Sequence, residues 1–272
     1  MMKVYISSDI EGTAGITNWN EAEKDHKDYT EFRDLMTGEV LAAVDGAIAA
    51  GASEIVLKDA HDSGRNILTG ELPDCVRIVR GWSGHPLSMV QEIDASFDAV
   101  IFTGYHSRAG AEGNPLAHTM NLDIGELRLN GVPASEFHLH ATAAGYYGVP
   151  AVFLSGDAGI CADAEKLNPG IETVATMEGI GRSTFSIAPK LARAKIKEGV
   201  KRALSASRAG NRTACVMKPA AETVMEVFFT NPVSAYKASF YPGATHVGNR
   251  TVRFAHSDFF EIMRAQKFIL GA

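Results

Sequence analysis

Short apolar runs that stop at an acid or a histidine recur through the first two thirds of the chain. VYI at residues 4–6 leads into SSDIEG, which carries Asp9 and Glu11. IVL at 55–57 leads into KDAHDSG, with Asp59 and His61, and DAVIFTG at 98–104 leads into YHSRAG, with His106. VPAVFLSGD at 149–157 stops on Asp157. Runs this short, rich in β-branched and aromatic residues, are expected as buried strands. Between the first two, Phe32, Leu35, Met36, Val40, Leu41, Val44 and Ile48 recur mostly three and four apart, the spacing of an amphipathic helix. Thr30 is its expected N-cap and Gly51 its stop. Alternating strands and helices indicate an α/β fold with a mostly parallel sheet flanked by helices. Such sheets bind ligands beyond the carboxyl ends of their strands. The acids and histidines gather at those ends.

Further elements follow from the same patterns. VRIV at 76–79 is expected as a strand, PLSMVQEI at 86–93 as a helix, and VMEVFFT at 224–230 as a strand. PKLARAKIKEGVKRAL at 189–204 is expected as a helix opening at Pro189, with its basic residues on a solvated face. SASRAGNRT at 205–213 has the composition of a linker or turn. SDFFEIMRAQKFIL at 257–270 is expected as a closing helix capped by Ser257. The organisation expected is an α/β metal-binding catalytic region over 1–190. A C-terminal α+β portion over 191–272 packs on it and is expected to make oligomer contacts.

Composition excludes several function classes. Hydrophobic residues make up 46% and charged residues 21% of 272 residues, the balance of a globular chain. Net charge is −6 and no basic run occurs, which argues against nucleic acid as a partner. No apolar stretch has the length of a membrane span, so no membrane partner is expected. The opening MMKVYISSD lacks the apolar segment of a secretory signal. Cys75, Cys161 and Cys215 are far apart and odd in number, as befits a reducing cytoplasm rather than a disulfide framework.

Asp9 and Glu11 stand at i and i+2, on one side of an extended backbone. Two carboxylates held together raise each other's pKa unless a cation neutralises them. The bland alternative is a strand-end turn with two solvated acids. His61 and His106 at two further strand ends favour the cation, with Asp59 or Asp62 as candidates to orient the His61 ring. Nitrogen and carboxylate ligands suit zinc, with manganese or cobalt as alternatives. The candidates outnumber the needs of one tetrahedral site and suggest two metals sharing a carboxylate. His118 in NPLAHTM and Glu136 in NGVPASEFHLHA carry little by position alone. His138 and His140 are expected as ordinary polar side chains at a sheet edge or subunit contact. Gly12 is expected to permit a tight turn after Glu11.

SSDIEG resembles the SxDxEG signature of the bacterial D-aminopeptidase family, zinc peptidases linked to dipeptide transport. The resemblance continues in order through KDAHDSGRN, GYHSRAG, NPLAHTMN, LNGVPASEFHLHATAAGYYGVPAVFLSGD and ETVATMEGIGRSTFSIAP. It implies two Zn(2+) per subunit, with Asp9 bridging them and Glu11, His61, His106 and Glu136 completing the ligand set. His118 matches the family's catalytic histidine. It also implies a ring-shaped homo-oligomer, with a decamer as one candidate size, that removes N-terminal D-residues such as D-alanine from short peptides. Two departures stand out: ASEFHLH has Ser135 where a glycine is expected, and ATMEG has Met177 where a lysine is expected. Both are expected to touch the substrate pocket rather than the metals.

Rival readings keep the strand-end acids but change the chemistry. The same scaffold would serve an amidase or an L-aminopeptidase. In an aspartate-nucleophile phosphatase Asp9 would attack phosphorus, but the histidines would then have no task. A non-catalytic peptide-binding protein would use its metals structurally, and structural zinc sites are usually closed and sulfur-rich.

Overall fold

The first strand, β1 (Met2–Ser8), is buried on both sides, with Val4 and Ile6 in one apolar core and Tyr5 in the other. Successive side chains in a strand point to opposite faces, so a run apolar at every position needs cover above and below. The computed structural model, which describes residues 1–208 and 214–271, supplies that cover. After β1 come α1 (Trp19–Ala22), α2 (Tyr29–Ala49), β2 (Ala52–Asp59), β3 (Val76–Val79) and β4 (Ala99–Tyr105). The chain continues with β5 (Ile124–Leu129), β6 (Val132–Pro133), α3 (Glu136–Tyr146), β7 (Ala151–Asp157) and α4 (Ala158–Leu167). Next are β8 (Glu172–Ile180), β9 (Ser183–Ser186), α5 (Pro189–Arg208), β10 (Thr223–Phe229) and α6 (Pro232–Ala238). β11 (Thr245–Gly248), β12 (Thr251–His256) and α7 (Phe259–Ile269) complete it.

Seven strands form the main sheet in the order β3-β2-β1-β4-β7-β8-β9, parallel except for β9. The fold is therefore α/β as expected. On one face α2 and α5 bury Met36, Val40, Val44, Ile196, Val200 and Leu204. On the other lie α3 and α7 together with an antiparallel sheet ordered β11-β12-β10-β5-β6. That second sheet joins the C-terminal strands to β5 and β6 from the middle of the chain. Burying one Val, Leu, Ile or Phe side chain is worth roughly 1.5–3 kcal/mol. With both faces apolar, a one-residue slip would exchange the two cores, so strand register is tightly set.

Register decides where the site forms. Ser8 pairs with Asp59 on one side and Thr103 on the other, so β2, β1 and β4 end level. The chain order reverses between β2 and β4, across β1. That is the switch point at which open parallel sheets bind ligands.

Several local expectations are corrected. Residues 86–93 form only a single 3-10 turn, Ser88–Val90, because Ser88 and Glu92 adopt positive φ and interrupt a helix. Their apolar side chains, Leu87, Met89, Val90 and Ile93, enter the core anyway. α2 begins two residues earlier than a Thr30 cap allows, with Asp28 at the N-cap and the Tyr29 ring buried. The expected stop holds, since Gly51 follows α2 at φ 94°. Asp258 rather than Ser257 caps α7, accepting from the Phe260 N–H at 2.9 Å. The expected linker at 205–213 is helical through residue 208, and 209–213 lie outside the described residues. Among the described residues no helix is long and apolar enough to cross a membrane.

α2 also buries a carboxyl group. Glu39 accepts the Ala14 N–H at 2.9 Å, and its second oxygen has no partner. Burial raises its pKa from 4.5 to about 7, against the pull of the Ala14 N–H and Arg193. Between those values the folded chain holds a proton that the unfolded chain has released. The contribution of Glu39 to stability is therefore greatest below pH 4.5 and is lost as pH rises to about 7. Glu39→Gln removes the buried charge. At pH 8 it is expected to be more stable than wild type by about 3 kcal/mol, with the difference vanishing near pH 5. Denaturant unfolding at both pH values measures this, and a difference independent of pH would refute it.

Candidate metal centre

Three adjacent strand ends and one helix N-terminus converge on a single buried cluster. Asp9 and Glu11 follow β1, His61 follows β2, His106 follows β4, and Glu136 opens α3. All five are buried. The two Asp9 oxygens face different neighbours. Oδ1 lies 3.3 Å from His61 Nδ1, and Oδ2 lies 3.5 Å from His106 Nε2. His61 Nδ1 is also 3.1 Å from Glu11 Oε1, and His106 Nε2 is 3.5 Å from Glu136 Oε2. Two triads result, Asp9–Glu11–His61 and Asp9–His106–Glu136, each with its ligand atoms within 4.8 Å of one another. A third grouping joins Glu11, His106 and His118 at the same spacing.

The histidine rings are held by backbone carbonyls, which only accept. His61 Nε2 donates to the Ala22 carbonyl and His106 Nδ1 to the Ser107 carbonyl, both at 2.9 Å. His118 Nδ1 donates to the Leu116 carbonyl at 2.9 Å. The other nitrogen of each ring faces carboxylates. His106 Nε2 and Glu11 Oε2 are buried with no hydrogen-bond partner. Three carboxylates buried this close together repel one another, and a divalent cation between them removes the repulsion. The donor set, nitrogen and carboxylate oxygen without sulfur, fits zinc.

Although burial opposes charge on all of these groups, the carboxylates hold His61 and His106 well above the usual imidazole range, and the histidines hold Glu11 well below the usual carboxylate range. Burial pushes the Asp9 carboxyl well above its ordinary range, and Glu11 beside it adds to the rise. Burial also opposes charge on Glu136, yet His106 and His118 bring that carboxyl down to about 2. His118 shifts down, through burial and then the neighbouring His106. Its ring stacks on His106 with centroids 4.2 Å apart, and Trp19 meets it edge-on at 5.3 Å.

The ligand loops are themselves anchored. Neither Asp59 nor Asp62 orients His61; α1 does so through its last carbonyl. Asp59 instead accepts from the Asn66 and Ile67 N–H groups, and Asn66 Nδ2 donates to the His61 carbonyl at 2.7 Å. Asp157 accepts from the Ser107 N–H and hydroxyl, both at 2.6 Å. Asn114 Nδ2 donates to the Glu11 carbonyl at 2.8 Å. A Cβ on Gly12 would run into the Tyr105 carbonyl, so Gly12 allows β1 and β4 to close on each other. Gly12 also stands in the expected tight turn, closed by the Thr13 N–H to the Ile10 carbonyl at 2.9 Å, though its φ is not positive.

A cleft of about 490 Å³ opens over Asp9, Glu11, His61, His118 and Glu136, walled by Trp19, Trp82, Met89, Met120 and Leu122. Ser135 and Met177 do not line it. Ser135 caps α3 and Met177 packs into the core beside α2, so neither departure touches the cleft. His138 and His140 also lie off the cleft on α3, not at a sheet edge, with His140 fully buried. α1 escaped the sequence reading, although Asn18 and Glu21 stand at capping-box spacing and make both bonds of that motif. Nothing in the local sequence around Trp82 marks it for the cleft.

A model of peptidase family M55, described as D-aminopeptidase, matches residues 2–268. The chain belongs to the D-aminopeptidase family. A curated D-aminopeptidase of Bacillus subtilis (strain 168) is 29% identical over 266 residues, 97% of this chain and 95% of the relative. Among solved structures, the Zn-dependent D-aminopeptidase DppA from Bacillus subtilis, a self-compartmentalizing protease, superposes with a TM-score of 0.93. That likeness covers 99% of this chain and 97% of the other at 28% identity.

Proposed function

We propose that this protein is a zinc-dependent aminopeptidase. It removes N-terminal D-residues, such as D-alanine, from short peptides or amides at a dinuclear site. The observation that carries the reading is Asp9, with one oxygen directed at each triad. Asp9, Glu11 and His61 would hold one ion, and Asp9, His106 and Glu136 the other. Family membership and the zinc-dependent relative support the metal and the reaction class.

Bound zinc supplies a Lewis acid for the scissile carbonyl and lowers the pKa of water. The remaining work falls to His118. Leu116 holds its Nδ1–H, leaving Nε2 as an acceptor 3.5 Å from Glu136. Its lowered pKa keeps the ring neutral near pH 7. It takes a proton from the attacking water and returns it to the departing amine. Water is thereby added across one amide bond.

A self-compartmentalizing relative supports a homo-oligomer here. Val233, Tyr236, Phe240 and Phe268, all in the C-terminal portion, expose large apolar side chains that subunit contacts would cover.

The test is a panel of matched D- and L-aminoacyl amides and dipeptides with the zinc-reconstituted protein. D-alanyl substrates are expected to be hydrolysed at least about tenfold faster in kcat/KM than their L-counterparts. Activity confined to L-substrates would overturn the stereochemical reading and favour an L-aminopeptidase.

A further inference from the structure

The cleft is charged almost entirely in one sense. Asp9, Glu11, Asp62 and Glu136 line it, and Lys267 is the single lysine or arginine that does so among the described residues. Lys267 is half-buried on the last turn of α7. Its side chain makes no hydrogen bond or ion pair among the described residues. Two other cations show the contrast. Lys58, behind the cleft wall, donates to the Asp59 and Gly81 carbonyls at 2.7 and 2.8 Å and lies 3.8 Å from the Trp82 ring centroid. On α7 itself, Arg264 pairs with Glu261 at 2.7 Å.

The position of Lys267 is set by packing. Phe259, Ile262, Met263, Gln266 and Ile269 bury one side of α7. Asn121 Nδ2 donates to the Leu270 carbonyl at 3.0 Å. That bond ties the segment just after His118 to the end of the helix that carries Lys267. One lysine is thus anchored in a cleft whose other charged side chains are acids.

We propose that Lys267 binds the C-terminal carboxylate of the substrate and so selects short peptides with a free carboxyl end. The inference rests on the aminopeptidase reading and adds the substrate class. A dipeptide carries an ammonium group at one end and a carboxylate at the other. With zinc offsetting Asp9, Glu11 and Glu136, the charged side chains left in the cleft are Asp62 and Lys267, and of these only the lysine can pair with the carboxylate. A cleft of about 490 Å³ falls among small-molecule sites and holds a peptide of this size. A lysine in the last turn of a helix also meets the negative end of the helix dipole. That role alone would not distinguish one substrate from another.

The test compares a D-alanyl dipeptide with its own C-terminal amide, two substrates with the same scissile bond. Wild-type protein is expected to favour the free carboxylate by roughly 10- to 100-fold in kcat/KM, mainly through KM. Lys267→Met should erase that preference, and Lys267→Arg should keep most of it. A preference that survives Lys267→Met, or none in the wild type, overturns the assignment while the peptidase reading stands. Wild-type protein inert toward both substrates overturns the reading and the assignment together.

Discussion

Asp9→Ala is expected to release both metals of a subunit together. Each oxygen of this carboxylate faces a different triad, at 3.3 Å from His61 Nδ1 and 3.5 Å from His106 Nε2. Alanine removes a ligand from both halves in one step. Glu11 would be left with His61 in one half, and His106 with Glu136 in the other. Single replacements at His61 or Glu136 touch one triad each and should spare the second ion. Activity of Asp9→Ala should fall by at least the roughly 100- to 1000-fold that loss of one transition-state donor costs. Elemental analysis of purified wild type and variant decides the matter. Loss of only one metal would remove Asp9 from the bridging role. The unfolding transition separates metal loss from misfolding, since the strand itself is held by its two apolar cores.

Much of this site was legible because its residues sit where a short continuous apolar run ends. Such runs mark the strands, and a parallel sheet presents all its carboxyl ends on one edge. Asp9, His61 and His106 could therefore be placed together before any geometry was known. Glu136 was harder, since it opens a helix and reaches the site through the packing of α3. The partner of His61 was not legible at all. It is a backbone carbonyl, and any residue at position 22 would offer one. Residues 86–93 mislead because apolar spacing reports burial, while the positive φ of Ser88 and Glu92 is a tertiary outcome. Lys267 escaped for the opposite reason. Its solvated helix face looks ordinary, and only the return of α7 to the cleft gives its charge a task. Ser135 and Met177 show the limit of reading motifs, since both stand inside matched motifs yet pack away from the cleft.

His118→Ala is expected to keep both metals and lose most activity. His118 has a buried ring whose Nδ1–H is held by Leu116, and its Nε2 faces Glu136 at 3.5 Å. It is absent from both Asp9 triads but shares the third grouping with Glu11 and His106. Two roles are therefore open to it geometrically, ligand or proton carrier. The lowered pKa favours the carrier, because a base that is neutral near pH 7 can accept a proton during attack. Positioned proton transfer contributes roughly 100- to 10,000-fold, so kcat should fall by that factor with KM little changed. Metal content near wild type, measured on the same preparation, would assign the loss to chemistry. A variant that sheds an ion would make His118 a ligand, and one that retains full activity would remove it from the mechanism. Trp19 meets the His118 ring edge-on and His106 stacks on it, so removing the imidazole opens a gap between two aromatic surfaces. His118→Gln fills part of that gap without restoring a base. If it recovers stability and not activity, the deficit belongs to the proton and not to packing.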